Sequence, residues 1–132
     1  MDRTERPERG VRVGGVVAFG IAAVLLAACD DRFVGPACTA DFRYGLSITV
    51  LDELGRPAAA GATGLAVDGE FTDTLEVFGA DTMVGAGERA GTYDITISKP
   101  GHMTWSAENV TVTADECHVH GVALQANLIP VP

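Results

Sequence analysis

Residues Thr92 to Lys99 read TYDITISK, entered from Gly91 and closed by Pro100-Gly101. Tyr93, Ile95 and Ile97 fall on one side of a period of two, and Asp94, Thr96 and Ser98 fall on the other. That alternation predicts a strand with one face in a core and one in water. The Pro-Gly pair then ends it, because proline has no backbone N–H for a ladder and glycine accepts a turn conformation.

Working outward, Tyr44 to Leu51 repeats the pattern, with Leu46, Ile48 and Val50 opposite Ser47, Thr49 and Leu51. Asp52 to Pro57, DELGRP, reads as the turn that follows. Leu65-Ala66-Val67 begins another strand, and Asp68-Gly69 is a hairpin signal leading into Phe71 to Phe78, FTDTLEVF. There Phe71, Leu75 and Val77 share a face with Asp73, so a break or bulge is expected near Thr74. Gly79 to Gly91 is rich in Gly and Ala and reads as a loop with a short strand around Thr82-Met83-Val84.

After the central strand, a short edge piece is expected over His102 to Trp105, a strand over Asn109 to Thr113, and a long final strand over Cys117 to Leu128. Val119 shares parity with Cys117, whereas Val122, Leu124, Ala126 and Leu128 do not, so the buried face must switch, and Gly121 is the natural place. No segment after residue 28 carries a helical apolar stripe. The expected fold class is all-β, a small Greek-key β-sandwich of about seven strands.

The amino-terminal part differs in kind. Arg3, Arg6, Arg9 and Arg12 precede sixteen residues without a charge, Val13 to Ala28. A bilayer span needs about 20 apolar residues, so the run is short for a permanent anchor and has the layout of a secretory signal helix. It ends in Leu26-Ala27-Ala28-Cys29, followed by Asp30-Asp31. This tetrapeptide resembles the lipobox of bacterial lipoproteins. The resemblance implies acylation of the Cys29 thiol by palmitate-like chains, cleavage before Cys29, and attachment to a bacterial membrane on its extracytoplasmic face. Each buried methylene contributes about 0.8 kcal/mol, and two or more chains are needed for stable anchoring. The chain then divides into a signal peptide over 1–28, a lipidated terminus and linker over 29–43, and a sandwich domain over 44–132.

Of three cysteines, lipidation of Cys29 leaves Cys38 and Cys117, and an even remainder in an exported chain reads as a disulfide. The competing account is a metal site built from Cys117, His118 and His120 with Cys38 or His102. Zinc or copper needs three or four converging ligands, and only the cluster at 117–120 is visible in the sequence.

The series Leu46-Ser-Ile-Thr-Val-Leu-Asp52, Gly55-Arg-Pro57, Gly91-Thr-Tyr-Asp-Ile-Thr-Ile97 and Lys99-Pro-Gly-His102 resembles carboxypeptidase regulatory-like domains. His102 stands where that family usually has an aromatic residue. The resemblance implies a prealbumin-like (transthyretin-like) sandwich and an accessory role beside other envelope proteins, with no peptidase activity and no catalytic residue to carry over.

Charge narrows the partners. Residues 29–132 hold five basic and fifteen acidic side chains, a net −10, which repels phosphate backbones and argues against nucleic acid. Ser47, Ser98 and Ser106 lie in strands or turns without the base and acid of a hydrolytic triad. Asp68, Glu70 and Asp73 lack the EF-hand pattern for calcium. The expectation is therefore a membrane-tethered, non-enzymatic binding or structural module of the cell envelope, without a cofactor and with an envelope protein or glycan as partner. Two alternatives stand beside it: a metal-handling lipoprotein using His118, His120 and His102, and a small carbohydrate-binding module centred on Trp105.

Overall fold

A computed structural model describes residues 35–132. The expected signal helix over 1–28, Cys29 and the first part of the expected linker lie outside the described residues. Within them the chain is all-β, with eight strands where about seven were expected: β1 (Tyr44–Leu51), β2 (Thr63–Asp68), β3 (Phe71–Phe78), β4 (Thr82–Gly87), β5 (Gly91–Ser98), β6 (Trp105–Ala114), β7 (Val119–His120) and β8 (Val122–Asn127). Their hydrogen-bonded order is β7-β6-β5-β2-β3-β4-β1-β8. Every neighbouring pair is antiparallel except β1 and β8.

The two end strands are one run of chain. Val119 and His120 pair with Ala114 and Thr113 of β6, and from Val122 onward the same run pairs with β1. The expected long final strand therefore changes partners at Gly121, and the sheet comes round almost to closure as a barrel. A Cβ at Gly121 would sit 3.1 Å from the Tyr44 carbonyl oxygen, which is why the pivot is glycine. Near-closure also removes most of the free edge that an open sheet presents.

Strand β3 makes the second corner. Phe71 to Leu75 pair with β2, and Glu76 to Phe78 pair with β4. The break expected near Thr74 thus falls one residue later and is a change of partner. Only Leu75 of this strand is buried; Phe71 and Val77, expected on the same inner face, are 37% and 45% exposed. A corner strand twists, so its side chains cannot all hold one face. Leu75 lies against Gly64 of β2 and Gly85 of β4, where added Cβ atoms would collide with its methyl groups.

Strand β4 extends the short strand expected around Thr82-Met83-Val84 as far as Gly87, into the expected loop, and its four central residues, Met83, Val84, Gly85 and Ala86, are all buried. A run buried on both sides gives no alternation to read. The two expected pieces around Trp105 and Asn109 are one strand, β6, interrupted by a bulge: Tyr93 pairs with Val110 but Ile95 with Ala107. Asn109 takes φ +54° in that bulge, and its N–H donates to Asp94 Oδ1 at 3.0 Å.

The core joins Leu46, Ile48 and Val50 of β1 to Tyr93, Ile95 and Ile97 of β5, with Met83, Val112, Val119, Ala126 and Leu128 between them. Each large side chain so buried contributes about 1.5–3 kcal/mol. These triplets are the ones their alternation predicts.

Candidate functional site

Where β3 leaves β4 for β2, the sheet splits. Pairing between β3 and β4 runs only from Phe78–Thr82 to Glu76–Val84, so residues 71–75 of β3 and 85–87 of β4 face each other without ladder bonds. The Asp73 carboxylate partly bridges the gap, accepting from the Ala86 N–H at 2.6 Å. Ala86 has φ +51° and Glu88 φ +48°, both in the left-handed region that costs an L-residue about 1–2 kcal/mol. Two unusual backbone conformations thus end β4 at this split.

The split opens into a cleft of about 280 Å³. Its floor is Gly85 and Gly87, and its aromatic walls are Phe42, Tyr44 and Phe71. The Phe42 and Tyr44 rings meet edge to face, with centroids 5.1 Å apart. Phe42 also lies over Gly87, where a Cβ would strike its ring.

Arg89 closes one end of the cleft and is itself held on several sides. Its guanidinium sits 3.8 Å above the Phe71 ring, a cation–π contact. Nη1 donates to Asp68 Oδ2 at 2.9 Å and to Tyr93 Oη at 3.0 Å. The Tyr93 hydroxyl in turn donates to the Arg89 carbonyl at 2.9 Å. The charge of Arg89 is balanced by Asp68 before any ligand arrives.

Phe42 reaches the cleft on a strap, residues 38–43, fastened at three points. Cys38 and Cys117 form a disulfide with Cα atoms 5.2 Å apart, as the cysteine count implied. Next, His118 Nε2 lies 3.1 Å from both the hydroxyl and the carbonyl oxygen of Thr39. Finally, Arg43 N donates to Glu88 Oε1 at 2.7 Å, and Glu88 N donates to the Arg43 carbonyl at 2.9 Å.

The histidines of the metal alternative are occupied separately. His118 Nδ1 donates to Glu88 Oε1 at 3.0 Å. His120 Nε2 donates to Asp115 Oδ2 at 3.1 Å, leaving Nδ1 to accept from the Thr113 hydroxyl. His102 Nδ1 faces the Pro100 carbonyl at 3.0 Å, in the segment that bridges to Pro130. Among the described residues no three His, Cys, Asp or Glu side chains group to hold a metal ion.

Two carboxyls here are held below the ordinary range. The backbone N–H groups of His118 and Cys117, with the His120 ring, lower Asp115. Burial raises Glu88, but hydrogen bonds from His118, Arg43 N–H and Val119 N–H outweigh it and the net shift is downward. Of the acids considered for calcium, Asp68 accepts from Arg89 and Asp73 from the Ala86 N–H; Asp52 is likewise engaged within its own turn, by Leu54 N, Arg56 N and Arg56 Nε.

Trp105, the carbohydrate candidate, is half-buried and packs against the core. Its outer edge borders a shallow hollow of about 120 Å³ with Met103, Thr104, Asn127 and Ile129. No acid or base lines that hollow. The cleft itself was not anticipated from sequence, since it draws on residues 42, 44, 71, 76 and 89 from three separate segments. The one available signal was the pair Gly85 and Gly87 following a strand-like Met83-Val84. No family model and no curated protein matches the chain.

Proposed function

We propose that the chain is a lipid-tethered, non-enzymatic binding or structural module of the bacterial cell envelope, attached to the membrane through Cys29. The observation that carries this reading is the pairing of Cys38 with Cys117. Of three cysteines it leaves Cys29 as the odd one, at the end of an apolar run and inside a sequence that resembles a lipobox. A disulfide whose partners stand 79 residues apart also fits an oxidising compartment outside the cytoplasm. An envelope protein or glycan is the partner such a module would meet there.

Within this proposal the barrel-like sheet is a prealbumin-like Greek-key sandwich of the carboxypeptidase regulatory-like kind, its two faces joined at the β3 corner and at Gly121. The residues that carry the resemblance support the reading by their conformations. Gly55 has φ +73° and Gly101 φ +77°, as their turns require, and Tyr93 is fully buried with its hydroxyl on the Arg89 carbonyl.

The test is acylation of the full chain in a bacterial host fed a clickable palmitate analogue, beside its Cys29→Ser variant. The wild type takes the label and sediments with membranes, and the variant does neither. Equal labelling of both proteins, or labelling of neither, contradicts the tether.

A further inference from the structure

We propose that the cleft between β3 and β4 receives a basic side chain, lysine or arginine, presented by an extended segment of another protein. The charge of the cleft favours a cation. Asp73 and Glu76 line the cleft against Arg89 alone, and the charge of Arg89 is already paired with Asp68 beside the cleft at 2.9 Å. Asp73 uses only Oδ2 on Ala86, and the Glu76 carboxylate makes no hydrogen bond among the described residues. The carboxylate oxygens left free can accept from an ammonium or guanidinium group, the stronger class of hydrogen bond.

Above those oxygens stand Phe42 and Tyr44, 64% and 37% exposed. Their rings can cover the aliphatic stem of a lysine or arginine and attract its charge. The way Arg89 lies over Phe71 is the same contact made within the chain. The wider field agrees, since residues 35–132 hold four basic and thirteen acidic side chains, a net −9, which draws cations toward the domain.

The unpaired edge indicates that the cation comes on a peptide. On the β3 side, residues 71–75 flank the cleft with backbone that no neighbouring strand bonds there, whereas on the β4 side Ala86 is already engaged, its N–H by Asp73 and its carbonyl by the Arg89 N–H. An extended segment placed there can bond to the β3 edge while its basic side chain enters the cleft, as in strand addition. A free amine would use the cleft and leave the edge bare. This inference does not depend on the lipid tether, and an unacylated chain would bind in the same way.

The experiment titrates the full chain in detergent micelles with acetyl-Val-Thr-Arg-Thr-Val-amide, its glutamate counterpart, and N-acetyl-arginine amide. The arginine peptide is expected to bind at one site and the glutamate peptide not at all. N-acetyl-arginine amide should bind about tenfold more weakly than the arginine peptide, for want of backbone bonds. Glu76→Gln and Phe42→Ala should each weaken the peptide about tenfold. Glu108→Gln, a loss of the same charge on β6, should leave it unchanged. Both tested residues are exposed, and a thermal melt confirms that each variant is folded. Equal weakening by Glu108→Gln would reduce the effect to diffuse charge and overturn the site. Arginine amide binding as tightly as the peptide would overturn the peptide partner, and indifference to Phe42→Ala would overturn the aromatic wall.

Discussion

His118 and Glu88 meet at 3.0 Å across the gap between β7 and the β4–β5 turn, and Glu88 also holds the Arg43 N–H. One carboxylate therefore ties three segments together: the strap, the end of β4, and the chain beside the disulfide. The strap carries Phe42, so whatever loosens Glu88 also loosens the wall of the cleft.

Acid should unfasten this end of the domain first. Asp115 and Glu88 lie below their ordinary values of 3.8 and 4.5 in the folded chain, so each binds fewer protons folded than unfolded. Their contribution is complete above the unfolded values and is lost as pH falls toward the folded ones. Thermal melts should show the melting temperature falling as pH is lowered below about 4.5. Asp115→Asn should lower it at pH 7 and flatten that acid limb. An unchanged slope in Asp115→Asn would contradict the assignment.

Breaking the disulfide should cost more than any single surface contact. For two residues 79 apart the chain-entropy argument gives about 4 kcal/mol. Cys38→Ser with Cys117→Ser should lose about 2–5 kcal/mol in denaturant unfolding and release the strap, seen as faster amide exchange over residues 38–43. Exchange unchanged there would mean that His118 and Glu88 hold the strap unaided.

The two glycines of β4 separate a cheap collision from an expensive one. Gly87→Ala meets the exposed ring of Phe42, which can swing away, so stability should change by less than about 1 kcal/mol. Gly85→Ala meets Leu75, buried in the β3 corner, and should cost about 1–3 kcal/mol through overpacking. Equal effects in chemical denaturation would argue against the corner packing.

How much of this was legible in the sequence depended on whether a strand keeps one face in water. β1 and β5 do, and Leu46, Ile48, Val50, Tyr93, Ile95 and Ile97 are buried as their alternation predicts. β4 is buried throughout its centre and β3 turns a corner, so neither shows a usable period. The disulfide was legible by counting, because two of three cysteines must pair if the other is modified. The cleft was not, because Phe42, Phe71, Glu76 and Arg89 converge only once β3 has changed partners, and no local pattern encodes that.

The bulge at Asn109 offers a test of backbone conformation alone. At φ +54° a glycine should be tolerated, whereas Asn109→Val should cost about 1–2 kcal/mol, because a branched Cβ resists the left-handed region. Asp94→Ala should also destabilise, by about 1 kcal/mol, since it leaves the Asn109 N–H without its acceptor. Unfolding free energies of the three variants check this, and a neutral Asn109→Val would rule out the bulge as described.

The central claim is a disulfide-closed domain attached through Cys29, and the intact mass of the protein purified from bacterial membranes tests it most directly. The account predicts a chain that begins at Cys29 and carries acyl chains, with Cys38 and Cys117 alkylated only after reduction. A full-length, unacylated mass with thiols that alkylate without reduction would contradict both the tether and the bridge.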